Sequence, residues 1–302
     1  MALVEKINLR GQPLDLDLTL SCGQAFRWKK RQDETWRGVV RDVLVELKSG
    51  GGALLWRTHP EGGSELVEDY LRLSDDVNSI YLALSASDPH LARLIDRFHG
   101  LRLLRQDPAE TLLSFVCSAA NTIPRITAAI ETLSALFGEL VCEKEDSCYY
   151  AFPRIEALAR ADRSALEATG SLAFRGANLK GVARQLLERG ESWLMSLREL
   201  GYAKARDELL EITGVGRKIA DCVCLFALDK DEAVPVDTHV RQLAQRLFLP
   251  DMKTRSITEA VYRRIQSAFA HRYGSSAGWA QQFLYYEDLL RTRPTRRGCP
   301  ER

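Results

Sequence analysis

The sequence predicts an α+β protein in which an N-terminal antiparallel β-sheet domain packs on a mostly α-helical body. Three observations carry that expectation. Apolar and polar residues alternate over short stretches of the first hundred positions. A triple glycine, Gly50-Gly51-Gly52, separates two apolar runs. From Asp107 onward the apolar spacing changes to that of amphipathic helices.

The first run has Leu14, Leu16, Leu18 and Leu20 alternating with Asp15, Asp17 and Thr19, the period of a half-buried strand. A second strand is expected from Val39 to Leu47, with Val43, Val45 and Leu47 on one face and Leu44 and Glu46 on the other. The glycines then turn the chain, and Ala53 to Thr58 returns as its neighbour. Glu65 to Leu73 and His90 to Phe98 read as helices packed on this sheet, approached through Pro60 and Pro89. Residues 1–104 are taken as this first domain.

Asp107-Pro108 is an N-cap followed by a first-turn proline, and Leu112, Leu113, Phe115 and Val116 supply the apolar stripe behind it. Further helices are expected at about 124–137, 154–160, 163–169, 176–189, 191–199, 203–212, 217–228, 238–247, 254–271 and 277–291, giving an all-helical second unit over 105–302. There is no internal repeat and no low-complexity stretch.

Composition limits the function classes. The 302 residues are 45% hydrophobic, enough for a sizeable core. Net charge is +1, so no global basic field marks a histone-like coat, and any nucleic-acid contact must be local. The seven cysteines are odd in number and scattered, which predicts free thiols in a reducing, intracellular compartment. None of their spacings suits a zinc ribbon, and no four-cysteine cluster follows residue 218 to hold an iron–sulfur centre. The first residues lack a long apolar run, so neither a signal peptide nor a membrane span is expected.

The most informative stretch is Leu209-Leu210-Glu211-Ile212-Thr213-Gly214-Val215-Gly216-Arg217-Lys218-Ile219-Ala220-Asp221. One helix ends before Gly214 and another begins near Arg217, a hairpin spanning about 203–228. Glycines let backbone N–H groups approach a close neighbour, and the second helix adds its positive N-terminal end. Such a turn can cradle phosphate without reading sequence. The alternative is a plain αα-hairpin whose glycines only cap helices.

Lys218 reads either as a phosphate-contacting surface lysine or as a nucleophile. An ordinary lysine is only about 0.04% neutral at pH 7, and lowering its pKa by about three units costs about 4 kcal/mol. Burial at a helix N-terminus pushes in that direction. Cys222 lies four residues on, on the same helical face. Nineteen residues after Lys218 comes Asp237, in Ala233-Val234-Pro235-Val236-Asp237-Thr238-His239-Val240. By itself Asp237 is a helix cap worth about 1 kcal/mol.

Together, the Gly-Val-Gly-x-Lys hairpin and the Val-Pro-Val-Asp segment resemble the signature of the helix-hairpin-helix, Gly/Pro-rich loop and aspartate (HhH-GPD) superfamily of DNA glycosylases. The resemblance implies that the two segments face each other across a cleft, with Lys218 as nucleophile and Asp237 as electrostatic partner. It extends over nearly the whole chain to the 8-oxoguanine DNA glycosylase/AP lyase family. The matching motifs are Ser21-Cys22-Gly23-Gln24-Ala25-Phe26-Arg27-Trp28, Leu103 to Pro108 with Phe115 to Ser118, and Gly278-Trp279-Ala280-Gln281 with Tyr285.

That family implies a TBP-like N-terminal sheet, a Gly23 carbonyl accepting from N7–H of the oxidised purine, and Gln281 on its Watson–Crick edge. Cys222 and Tyr285 would sandwich the base, and His239 would contact phosphate. Arg125 and Arg175 would hold the estranged cytosine, with Phe174 as wedge and Gly214 and Gly216 on the backbone. The sequence departs from the pattern at Ala120, where the family has asparagine; either Asn121 substitutes after a small shift or the contact is missing, and weaker opposite-base discrimination is expected. Taken singly, Gly23 is a turn glycine, Tyr285 a core residue, His239 a first-turn residue and the arginines surface charges.

The implied activity is excision of 8-oxoguanine from duplex DNA with an associated lyase step, by a monomer that needs no cofactor beyond a possible monovalent cation on the hairpin carbonyls. Rival readings are a glycosylase for a formamidopyrimidine or alkylated base, a non-catalytic DNA-structure binder, and a helical scaffold. Tail residues Arg291, Arg293, Arg296 and Arg297 form a basic end.

Overall fold

The structure, a computed structural model, describes residues 5–50, 52–119, 121–145, 147–167, 172 and 175–292. Near its start, the Asp15 carboxylate accepts from the Leu18 amide at 2.9 Å and caps a helix, α1 (Leu16–Ser21). The strand expected over Leu14 to Leu20 is therefore a helix. Leu16, Thr19 and Leu20 are its buried residues, an i, i+3, i+4 set. Leucines two apart satisfy either period over so short a run, and the cap decides between them.

A five-stranded antiparallel sheet follows the order β1-β5-β4-β3-β2, from β1 (Glu5–Asn8), β2 (Trp28–Lys30), β3 (Trp36–Val40), β4 (Val43–Gly50) and β5 (Ala53–His59). The expected single run from Val39 to Leu47 is broken. Arg41 takes φ +57° and turns the chain, pairing Val40 with Val43. The return at the glycines holds, with Gly50 opposite Ala53. Gly51 lies outside the described residues. β1, which the alternation did not indicate, closes the sheet against β5.

One sheet face packs with α1 and α2 (Ser64–Tyr70) in a core that includes Leu16, Leu20, Trp28, Trp36, Leu47, Trp56 and Leu71. Next come α3 (Val77–Ser87) and α4 (Pro89–Arg97). Expected to lie on the sheet, the 90–98 helix instead gives Leu91, Leu94 and Ile95 to the core of the helical body, as α3 gives Val77, Tyr81 and Leu84. Their apolar stripes complement the large side chains of the last helix, and Phe98 packs edge-on against Tyr286.

The body begins with α5 (Pro108–Cys117), capped by Asp107 on the Glu110 amide at 2.9 Å, and α6 (Ile123–Phe137). A two-stranded hairpin, β6 (Leu140–Lys144) and β7 (Ser147–Tyr150), corrects the all-helical reading of this unit. It is held to the sheet by charge: buried Glu46 accepts from Arg37 and Lys144, both at 2.6 Å, and Arg37 donates to Glu145 at 2.8 Å. Glu46 and Lys144 are 98 residues apart and Arg37 and Glu145 are 108, beyond any local pattern.

Helices α7 (Ile155–Arg160), α8 (Arg163–Glu167), α9 (Arg175–Arg189), α10 (Glu191–Ser196), α11 (Tyr202–Leu210), α12 (Arg217–Ala227), α13 (Thr238–Leu247), α14 (Glu259–Tyr273) and α15 (Ala277–Thr292) complete the fold. α14 starts five residues later than expected, where Thr258 caps the Val261 amide. α12 is buried from Ile219 to Ala227, and a helix buried around its whole circumference sits at the centre of a domain. That placement puts its first turn, and Lys218, at the floor of a cleft. No described helix is long and apolar enough to cross a membrane.

Candidate active site

Helices α11 and α12 are joined by the Gly-Val-Gly turn. Gly214 has φ +96°, the left-handed region that glycine enters without strain. Two side chains of α9 clamp the turn: Asn178 donates to the Gly214 carbonyl at 3.2 Å, and Gln185 donates to the Thr213 carbonyl while accepting from its amide. Gly216 differs. Its φ of −90° suits any residue and a Cβ there would meet nothing within 4 Å, so at this position glycine leaves room and no left-handed turn is made.

Gly214→Ala should therefore cost about 1–3 kcal/mol. Its Cβ would fall 2.0 Å from Asn178 Oδ1, which must swing away and lose its bond. Gly216→Ala should cost much less. Urea denaturation of both variants checks the contrast.

The cleft is a cavity of about 1160 Å³ lined by Lys218, Asp237, Cys222, Gln281, Tyr285, His239, Gly23, Asn121 and Gly216, among others. Lys218 Nζ donates to Ser118 Oγ at 3.1 Å and lies 4.6 Å from the centre of the Phe115 ring. Ser118 Oγ itself donates to the Phe115 carbonyl at 2.7 Å, which turns its lone pairs to the amine. The end of α5 thus fixes where the amine sits. Asp237 is the N-cap of α13, accepting from the Val240 amide at 2.9 Å with one oxygen. The bland and the functional readings of Asp237 are compatible, because the cap holds a half-buried carboxylate at the cavity wall.

Cys222 is buried at the same wall: burial pushes its thiol up to about 12, and Lys218 and Asp237 both act on it electrostatically. It stays a neutral thiol at physiological pH, an apolar wall and no nucleophile. Tyr285 forms part of the same wall, with its ring edge-on to His239 at 5.9 Å. Gly23 has φ +88°, and a Cβ there would come 3.1 Å from Ile123 Cδ1 and 3.6 Å from Tyr285 Cε1. Glycine is needed at that turn for both reasons. The element before it is helix α1, not the strand expected from the leucine alternation. Gln281 is buried, and its Oε1 has no hydrogen-bond partner among the described residues. An unpaired buried acceptor is costly and marks a place where a ligand donor fits.

Sequence reasoning missed several supports. Gln24 anchors the Gly23 turn by donating to the Thr19 and Arg102 carbonyls and accepting from the Leu104 amide. Gln282 donates to the Cys22 carbonyl at 3.2 Å, tying α15 to the same turn. Asp288, 2% exposed at its side chain, faces His239 Nδ1 at 3.1 Å and accepts from Arg246. The i, i+4, i+7 spacing of Gln281, Tyr285 and Asp288 is a signal that was available. Ser118 was legible only as part of a motif.

The residues assigned to the opposite base are less gathered. Asn121 lines the cavity and donates to the Cys117 carbonyl. Arg125 is exposed on the first turn of α6, and Arg175, at the start of α9, donates to the Ala119 carbonyl at 2.6 Å. Neither arginine lines the cavity. Phe174 and Ala120 lie outside the described residues, as do Arg293, Arg296 and Arg297. Arg291 pairs with Asp288.

With this geometry in place, comparison with known proteins decides the family. The N-terminal domain of 8-oxoguanine DNA glycosylase matches residues 6–112, and the HhH-GPD superfamily of base excision DNA repair proteins matches residues 113–270. A relative named N-glycosylase/DNA lyase OGG1, from Arabidopsis thaliana, is 33% identical over 94% of this chain and 80% of its own length.

The chain belongs to the HhH-GPD superfamily, as a member of its N-glycosylase/DNA lyase family.

Solved structures agree with the assignment. The 8-oxoguanine glycosylase/lyase of Clostridium acetobutylicum, in complex with double-stranded DNA containing cytosine opposite 8-oxoguanine, superposes with a TM-score of 0.83 at 29% identity, covering 96% of this chain and 98% of that one. A structure of MBOgg1 in complex with a low-affinity DNA ligand gives 0.84 at 31% identity, over 96% and 98% of the two chains. In this N-glycosylase/DNA lyase the two matched segments meet inside α5, the helix that carries Phe115 toward Lys218.

Proposed function

We propose that this N-glycosylase/DNA lyase extrudes 8-oxoguanine from duplex DNA, opposite cytosine, excises it, and then nicks the strand through a Schiff base on Lys218. The observation that carries the reading is one cavity lined by an amine, a carboxylate and an unpaired amide acceptor. Extruding a base costs a few kcal/mol. Contacts from the hairpin turn to phosphate, and of the base with Tyr285 and Cys222, offset it. The N1–H and exocyclic amine of the purine are donors that suit Gln281 Oε1. Protonated N7 suits a carbonyl at Gly23, and guanine, with no N7 hydrogen, would leave that acceptor unpaired.

As the C1′–N9 bond lengthens, its electron pair leaves with the base and positive charge grows on the sugar. Asp237 stabilises that charge. The Lys218 amine forms the new bond to C1′ and gives up its proton, and opening of the sugar yields the Schiff base. Loss of a C2′ proton then expels the 3′ phosphate. His239, held by Asp288 on one ring nitrogen, presents the other to a phosphate.

The test is excision and nicking on duplexes carrying 8-oxoguanine opposite each of the four bases. Cytosine should be preferred, with reduced discrimination against the other three because Ala120 replaces the usual asparagine. Absence of excision opposite every base would overturn the substrate assignment.

A further inference from the structure

Asp221 lies one turn beyond Lys218 on α12 and its side chain is fully buried. The carboxylate accepts from the Tyr202 hydroxyl at 2.7 Å, the Tyr262 hydroxyl at 2.5 Å and Gln266 Nε2 at 2.8 Å. Burial pushes its pKa up to about 6, against the pull of these donors. A buried carboxyl group is an expensive way to pack a helix, and an apolar side chain of similar size packs at lower cost. Its partners show what it gains.

The Tyr262 hydroxyl, while donating to Asp221, also accepts from the Val236 amide at 3.1 Å. Gln266, four residues further along α14, donates to the Val234 carbonyl at 3.2 Å as well as to Asp221. Between these two grips lies Pro235, which has no N–H of its own to offer. Asp237 follows directly after Val236. The segment leading into Asp237 is therefore tied, through two α14 side chains, to the same helix that bears Lys218. Tyr262 also lines the cavity.

We propose that Tyr262 is a positioning residue: its hydroxyl, bridging Asp221 to the Val236 amide, sets the Asp237 carboxylate at the spacing from the Lys218 amine that base excision requires. Tyr202 makes the same kind of bond to Asp221, but its hydroxyl otherwise meets Gln266 and Arg206, and among the described residues it has no hydrogen bond to the Val234–Asp237 segment. The pair of tyrosines thus separates positioning from simple satisfaction of a buried carboxylate. The inference deepens, and rests on, the reading of Lys218 and Asp237 given above.

Tyr262→Phe and Tyr202→Phe are compared with the unmodified chain in two assays. One is single-turnover excision from an 8-oxoguanine:cytosine duplex at saturating enzyme. The other is borohydride trapping on a duplex with a preformed abasic site, which has no glycosidic bond left to break. Tyr262→Phe should lower excision about 10- to 100-fold, the loss of one hydrogen bond to a charged group. Its trapping at the abasic site should be nearly unchanged, and Tyr202→Phe should excise close to normally. Equal losses in both assays, equal losses in both variants, or normal excision by Tyr262→Phe would overturn the proposal. If the unmodified chain fails on 8-oxoguanine, the substrate assignment falls separately. Crystal structures of the variants then decide the positioning role: the Val234–Asp237 segment should be displaced in Tyr262→Phe alone, and an unmoved segment would reject it.

Discussion

Lys218→Gln is expected to abolish borohydride trapping on 8-oxoguanine DNA and to lower excision by at least about 10⁴-fold, the scale seen when an enzyme loses its nucleophile. Glutamine nearly matches lysine in length and can still donate to Ser118 Oγ, which Lys218 Nζ reaches at 3.1 Å. The helix N-terminus and the Gly214 turn do not depend on the amine. Stability and DNA affinity should therefore change little, and the loss should appear in the covalent step. Gel assays for the trapped complex and for excised base check this. Full trapping by the variant would remove Lys218 from the reaction.

Asp237→Asn should lower single-turnover excision by about 10²- to 10³-fold, the range for removing one preorganised electrostatic stabiliser. The substitution separates two roles that share one side chain. Asparagine is as good an N-cap as aspartate, so the 2.9 Å bond from the Val240 amide can persist and α13 should remain intact. Only the charge is lost. Asp237→Ala should add about 1 kcal/mol of destabilisation from the missing cap. Thermal melts beside the kinetics distinguish them. Wild-type excision by Asp237→Asn would mean that the carboxylate serves the fold alone.

The two variants probe the two ends of one arrangement. Lys218 is placed from α5, through Ser118 and the Phe115 ring, while Asp237 is placed by its own cap and by the grip of α14 on the segment before it. The hairpin turn is held separately by α9, through Asn178 and Gln185. On the proposed roles of the hairpin and of Lys218 with Asp237, Gly214→Ala should weaken DNA binding more than it alters the chemical step.

The sequence by itself determined most of the helical body and, through its resemblance to a family, the glycosylase/lyase activity. A glycine turn followed by a lysine, and a proline-led loop ending in a capping aspartate, are short patterns whose meaning is carried by neighbouring residues. The same holds for Asp107 and Asp237 as caps and for the extent of α6, α9, α12 and α13. Local reading failed where a short run fits two periods, as at Leu14 to Leu20, and where one strand proved to be two, folded back at Arg41.

Only the tertiary structure decided which elements share a core and what holds Lys218 and Asp237 in place. The helices of 77–98 join the body, because an apolar stripe specifies that it must be covered and not by what. Glu46 with Lys144, Lys218 with Ser118, and Tyr262 with Asp221 and Val236 are contacts across 26 to 100 residues. Such contacts leave no periodicity in the chain. A hydrogen bond depends on a few tenths of an ångström and on direction, and the folded backbone alone sets both.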